Sequence, residues 1–90
     1  MGLTLSLDYI LDEDKFKVDG NIKPGLQKDF VSDFLMTQIG AGEDFNEAET
    51  RDVYTIKINL NIESDEYLVE HNCGNKGLRD GILARYIETC

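Results

Sequence analysis

Ninety residues, 41% of them hydrophobic, suffice for one small domain with a single thin core and are too few for two. Nine basic against eighteen acidic residues leave a net charge of -9, a field that repels phosphate backbones and anionic lipid, so direct binding to nucleic acid or membrane is disfavoured. No apolar run has the length of a membrane span, and the opening MGLTLSLDYILDEDK lacks the basic region and long apolar stretch of an export signal.

The first element reads as a half-buried strand. Leu3, Leu5, Leu7, Tyr9 and Leu11 alternate with Thr4, Ser6 and Asp8, and only Ile10 breaks the period of two. DEDK is a polar turn into a short second strand, Phe16 to Gly20, which closes a hairpin. Pro24 then stands where a first-turn proline costs a helix no hydrogen bond. After it Leu26, Phe30, Val31, Phe34 and Leu35 recur at the spacing of one helix face.

Residues 40–52, GAGEDFNEAETRD, connect this unit to the next. Their acids outnumber Arg51 heavily, and a connection of this length is commonly functional, flexible or both. Its ordinary reading is a solvated linker. Its sharper reading is a partner-binding epitope in which Glu43, Asp44, Glu47 and Glu49 surround the apolar anchor Phe45. The alternating oxygen ligands and terminal glutamate of a calcium loop are missing.

The second half repeats the order of the first. Tyr54, Ile56, Ile58, Leu60 and Ile62 alternate with Thr55, Lys57, Asn59 and Asn61; ESDE is the turn, and Tyr67 to Asn72 the return strand. Leu78, Ile82, Leu83, Tyr86 and Ile87 then form a helical stripe. Laid over one another, residues 3–21 and 54–72 share Thr4/Thr55, Asp14/Asp65, Val18/Val69 and Asn21/Asn72. One inserted residue then aligns Gly25/Gly77, Leu26/Leu78 and Thr37/Thr89.

A hairpin with one helix cannot exclude enough water to stand alone, so the two units are expected to join their sheets. The predicted fold is α+β: a two-layer ββα-ββα domain with an internal pseudo-two-fold repeat, units 3–39 and 53–90 joined by the acidic connection. Its four-stranded antiparallel sheet is covered on one face by two helices, with the longer strands, Leu3 to Leu11 and Val53 to Glu63, at the centre. The open face carries Thr4, Ser6, Asp8, Thr55, Lys57, Asn59 and Asn61, and that face or a shorter edge strand is the expected place for self-association.

Chemistry concentrates in HNCGNKGLRD, residues 71–80, with the chain's one histidine and the first of its two cysteines. His71 and Cys73 lack a third orienting group, as nucleophilic catalysis requires, and are too few to hold zinc. Parity puts His71 on the apolar side of its strand, as a packed residue. Gly74, Asn75, Lys76 and Gly77 could cradle a small anion at a helix start, although they match no established phosphate-loop spacing. The carboxylate pairs Asp12/Asp14 and Asp65/Glu66 fall in turns where water is expected to solvate both members and leave their titration ordinary. Cys73 and Cys90 show neither metal-ligand spacing nor a disulfide framework, which suits a reduced, cytoplasmic protein.

The functional expectation is a small acidic, non-catalytic protein-interaction or regulatory module. It needs no cofactor or metal and binds a protein partner or itself; its concrete form is an inhibitor of a basic or nucleic-acid-binding partner. The alternative is a small-anion or enzymatic site at the loop 71–80.

Overall fold

The computed structural model describes residues 2–37 and 50–89. They form β1 (Gly2–Ile10), β2 (Lys15–Gly20), a 3-10 turn (Pro24–Leu26) running into α1 (Gln27–Thr37), β3 (Val53–Asn61), β4 (Glu66–His71) and α2 (Lys76–Thr89). The strands make one antiparallel sheet in the order β2-β1-β3-β4, so the two long strands are central and the two short ones are edges.

The alternation read in the sequence sorts side chains as expected as far as Tyr9 and Leu60, whereas Leu11 and Ile62, read as the last members of the buried faces, fall just beyond β1 and β3 and are 41% and 54% exposed. Leu5, Leu7 and Tyr9 of β1 and Tyr54, Ile56 and Ile58 of β3 are buried in one cluster with Phe30, Val31 and Phe34 of α1 and Ile82, Leu83 and Tyr86 of α2. Burying one such side chain is worth about 1.5–3 kcal/mol, against a total stability of only about 5–13 kcal/mol for a chain of this size. Ile10 is half-buried, in keeping with its break in the pattern.

Both hairpins turn in the same way. Asp14 (φ 51°) and Asp65 (φ 56°) each take the left-handed conformation that a short polar side chain tolerates. Asn21 and Asn72, the residues following β2 and β4, then clamp the neighbouring strand. Asn21 Oδ1 accepts from Thr4 N–H at 2.8 Å and its Nδ2 donates to the Gly2 carbonyl, while Asn72 Oδ1 accepts from Thr55 N–H at 2.8 Å and its Nδ2 donates to the Val53 carbonyl.

Each edge strand is tied to the helix of the other half. Phe16 of β2 stacks on Tyr9 with ring centroids 4.7 Å apart and meets Tyr86 of α2 edge-on at 5.6 Å. Tyr67 of β4 packs on Phe30 and Phe34 of α1 and donates to Asp33 Oδ2 at 2.6 Å. The halves are therefore interlocked, and removing either helix would uncover the other half's hairpin.

One expectation about the first helix needs correction. Leu26 was expected on the buried stripe of the first helix but is 54% exposed. It lies in the 3-10 turn, whose three residues per turn rotate it off the face that α1 presents. Ile22, in the connection before that turn, is buried instead.

Candidate functional site

The loop between β4 and α2 is where the sequence concentrates reactive groups, and local backbone needs account for most of its polar residues. Gly74 has φ 83°, the left-handed turn that brings the chain from the sheet into the helix. Asn75 caps α2: its Oδ1 accepts from Leu78 N–H at 2.8 Å, and its carbonyl accepts the first helical bond, from Arg79 N–H. His71 lies opposite Ile56, on the apolar parity, and its Nδ1 accepts from Cys73 N–H at 3.2 Å. Gly74, Asn75, Lys76 and Gly77 are thus brought together at the start of α2, with the Leu78 donor there already used by the cap.

Cys73 is fully buried. Burial pushes its thiol up to about 11, although the nearby Arg79 and Arg51 pull in the opposite direction. At neutral pH it is a protonated, inaccessible thiol rather than a nucleophile. Among the described residues no group of three or more His, Cys, Asp or Glu side chains is placed to hold a metal ion. Nor is any helix there long and apolar enough to cross a membrane.

The loop's least expected member is Arg79, buried to 5% exposure. Its guanidinium carbon sits 5.2 Å from the centroid of the Phe34 ring, and Nε donates to Asp80 Oδ1 at 2.9 Å. Nη2 is 2.8 Å from the same oxygen but too poorly aligned to hydrogen-bond, and it is left as a buried nitrogen without a hydrogen-bond partner. The attraction to Asp80 is real at that distance; the desolvated N–H is not fully compensated.

A second polar cluster contradicts the expectation for the first hairpin turn. Asp14 is not simply solvated: Tyr9 Oη donates to its Oδ1 at 2.7 Å, and Arg85 of α2 grips both oxygens, with Nε donating to Oδ1 at 2.8 Å and Nη2 to Oδ2. The Arg85 hydrogen bonds, followed by that of Tyr9, hold the Asp14 carboxyl down at about 2. The Tyr9 hydroxyl titrates above its ordinary value, chiefly through the bond to Asp14, and Arg85 is held more firmly protonated by the same carboxylate. On the opposite side of the fold, Tyr67 is pushed above its ordinary value by burial and by Asp33. Both clusters join a hairpin to a helix of the other half. Each ties distant parts of the chain together through a tyrosine hydroxyl bound to a carboxylate.

Exposed apolar side chains lie on the helices as well as the sheet, Met36 of α1 at 74% above all, whereas outward main-chain groups belong to the two edge strands. The bond from Asn21 N–H to the Thr4 carbonyl and the alternation of an antiparallel ladder fix which way each edge residue points. On β2, Lys15, Lys17 and Asp19 bond inward to β1, and the main-chain groups of Phe16, Val18 and Gly20 face outward. On β4 the bond from Asn72 N–H to the Thr55 carbonyl likewise leaves Tyr67, Val69 and His71 outward. The side chains on the polar face differ between the edges: Lys15, Lys17 and Asp19 on β2, and Glu66, Leu68 and Glu70 on β4. Leu68 is 68% exposed and Val53 41%.

The acidic epitope read in the connection, Glu43, Asp44, Phe45, Glu47 and Glu49, lies outside the described residues. Sequence reasoning missed Arg79 and the Asp14–Arg85 tie. A signal for Arg79 existed: with Ile82, Leu83 and Tyr86 it keeps the spacing of a helix face. The pairing of Asp14 with Arg85 joins opposite ends of the chain and had no local signature.

The architecture defines an α+β domain whose edge strands, β2 and β4, carry Lys15, Lys17 and Asp19 and Glu66 and Glu70 respectively on the polar face. Comparison with protein-family models, curated proteins and solved structures finds no match to this chain.

Proposed function

We propose that the chain is a non-catalytic protein-interaction module, acting on a protein partner or on a second copy of itself. The observation that carries this reading is the contrast between buried chemistry and exposed main chain. The one described thiol is fully buried, and Asn75 and Asp14 are committed to bonds within the fold, whereas two strand edges present outward N–H and C=O groups. The matching turns and asparagine clamps of the two halves support a duplicated ββα unit with both helices on one face of the sheet. With a net charge of -9, a foreign partner's surface would be basic, as in an inhibitor or regulator of a nucleic-acid-binding protein.

Affinity capture on the immobilised full chain tests the reading. A stoichiometric protein, or the chain itself, should be retained at low salt, and a basic partner should be released as salt rises. Retention of a basic partner that is insensitive to salt would refute the electrostatic form, and retention of no protein would refute the module.

A second reading is favoured by one observation, the buried Arg79 Nη2 without a hydrogen-bond partner near the start of α2. In it Gly74, Asn75, Lys76 and Gly77 receive a small anion. Titration with inorganic phosphate should then shift the amides of residues 73–80, and Lys76→Ala should abolish that shift without altering the melting temperature. Unshifted amides would eliminate it.

A further inference from the structure

We propose that β2 is the self-association edge: two copies pair β2 with β2 about a two-fold axis at Val18, joining two four-stranded sheets into one of eight strands. The inference rests on the interaction-module reading and specifies its surface and partner.

The outward backbone groups of β2 set the register of any partner strand. Phe16, Val18 and Gly20 face outward on β2, and an antiparallel partner must bond at these same positions. Placing Val18 opposite its own copy satisfies this requirement. The two Val18 residues exchange both bonds, and each Phe16 N–H donates to the Gly20 carbonyl of the other copy. The Gly20 N–H needs no partner there, because Asp19 Oδ1 already accepts it at 2.8 Å.

That register also decides the side chains. It sets Lys17 of each copy directly opposite Asp19 of the other, in the closely spaced positions of the ladder, so the axis generates two ion pairs on the polar face. Lys15 and Lys17 make no ion pair among the described residues, so no existing pair is broken. Shifting the register by two residues either way disrupts this match, bringing Lys17 against Lys17 or Asp19 against Asp19. On the core side, Val18 meets Val18 and continues the apolar layer beneath the sheet.

The other edge lacks this complementarity. On its polar face β4 carries Glu66, Leu68 and Glu70 and no Lys or Arg, so no pairing of two β4 copies sets a cation against either acid there. Pairing β2 with β4 of the next copy is head-to-tail and leaves a free edge at each end, which grows a filament; pairing β2 with β2 closes after two copies.

Sedimentation velocity of the full chain over a range of concentrations tests the proposal. The natural chain should move reversibly from 10.2 kDa to twice that mass. Lys17→Asp and Asp19→Lys each turn both ion pairs into repulsions and should weaken dimerisation at least about tenfold. The double swap, Lys17→Asp with Asp19→Lys, restores complementarity within β2 and should restore the dimer; a contact between β2 and β4 would not be restored. Val18→Pro offers a second route if a charge swap unfolds the monomer: it removes an outward N–H that the internal ladder does not use, and should give a folded monomer. A natural chain that stays monomeric at every concentration overturns the proposal while leaving binding to a foreign partner intact. A dimer that survives the single swaps and Val18→Pro, or a double swap that stays monomeric, also overturns it.

Discussion

Replacing Gly20 by alanine should detach the end of β2 from the sheet. Gly20 has φ 141°, a conformation that side chains rarely adopt, and a Cβ built there would lie 2.1 Å from the Thr4 carbonyl oxygen and 3.1 Å from Leu5 Cα. The dihedral strain alone costs about 1–3 kcal/mol. To relieve the clash β2 must move away from β1, which stretches the bonds of Asn21 to Thr4, each worth about 0.5–1.5 kcal/mol. Together these make a loss of about 2–6 kcal/mol, a large share of a total near 5–13 kcal/mol. Urea unfolding followed by far-ultraviolet circular dichroism measures it. Gly81→Ala is the internal control: nothing lies within 4 Å of its added Cβ, and it sits within α2, so the substitution should gain about 0.5–1 kcal/mol. If Gly20→Ala changes stability by less than about 0.5 kcal/mol, the tight approach of β2 to Thr4 is wrong.

Asp14 sets an acid limb. Its folded carboxyl titrates near 2 rather than 3.8, so its stabilising contribution is complete above the ordinary value and is lost as pH falls toward about 2. Asn tolerates the same left-handed backbone, so Asp14→Asn should flatten the fall in stability across that window; an unchanged acid limb in thermal melts would contradict the tie to Arg85. The fully buried Cys73 should react with a thiol reagent only as fast as the domain opens, and reaction at the rate of a free thiol in the folded chain would contradict its burial. Phe34→Ala removes a fully buried ring that touches Tyr67 and Arg79, and should cost about 3–5 kcal/mol by denaturant titration; a loss under about 1 kcal/mol would show that α1 does not anchor β4.

The parts of the fold legible in the sequence were those with a period. Alternation in Leu3 to Tyr9 and Tyr54 to Leu60 marked the two central strands, and the spacing of Phe30, Val31 and Phe34 marked the face of α1. What depended on phase or distance was not legible. Leu26 has the right spacing for the stripe but enters a 3-10 turn, and Ile22 fills the core from a segment with no period. Arg79 shares the spacing of Ile82 and Tyr86, yet its charge argues for solvent until Phe34 and Asp80 are seen around it. At the candidate surface, the sequence marked β2 as a short edge, but the outward direction of its Phe16 and Val18 groups follows only from the bond between Asn21 and Thr4.

Amide hydrogen exchange of the full chain at several concentrations most directly tests the claim that this chain works through the β2 edge. In the monomer the Phe16 and Val18 N–H groups face solvent and should exchange quickly, as should those of Tyr67 and Val69 on β4. As concentration rises, Phe16 and Val18 should become protected while Tyr67 and Val69 stay fast. Exchange at Phe16 and Val18 that is the same at every concentration would contradict it.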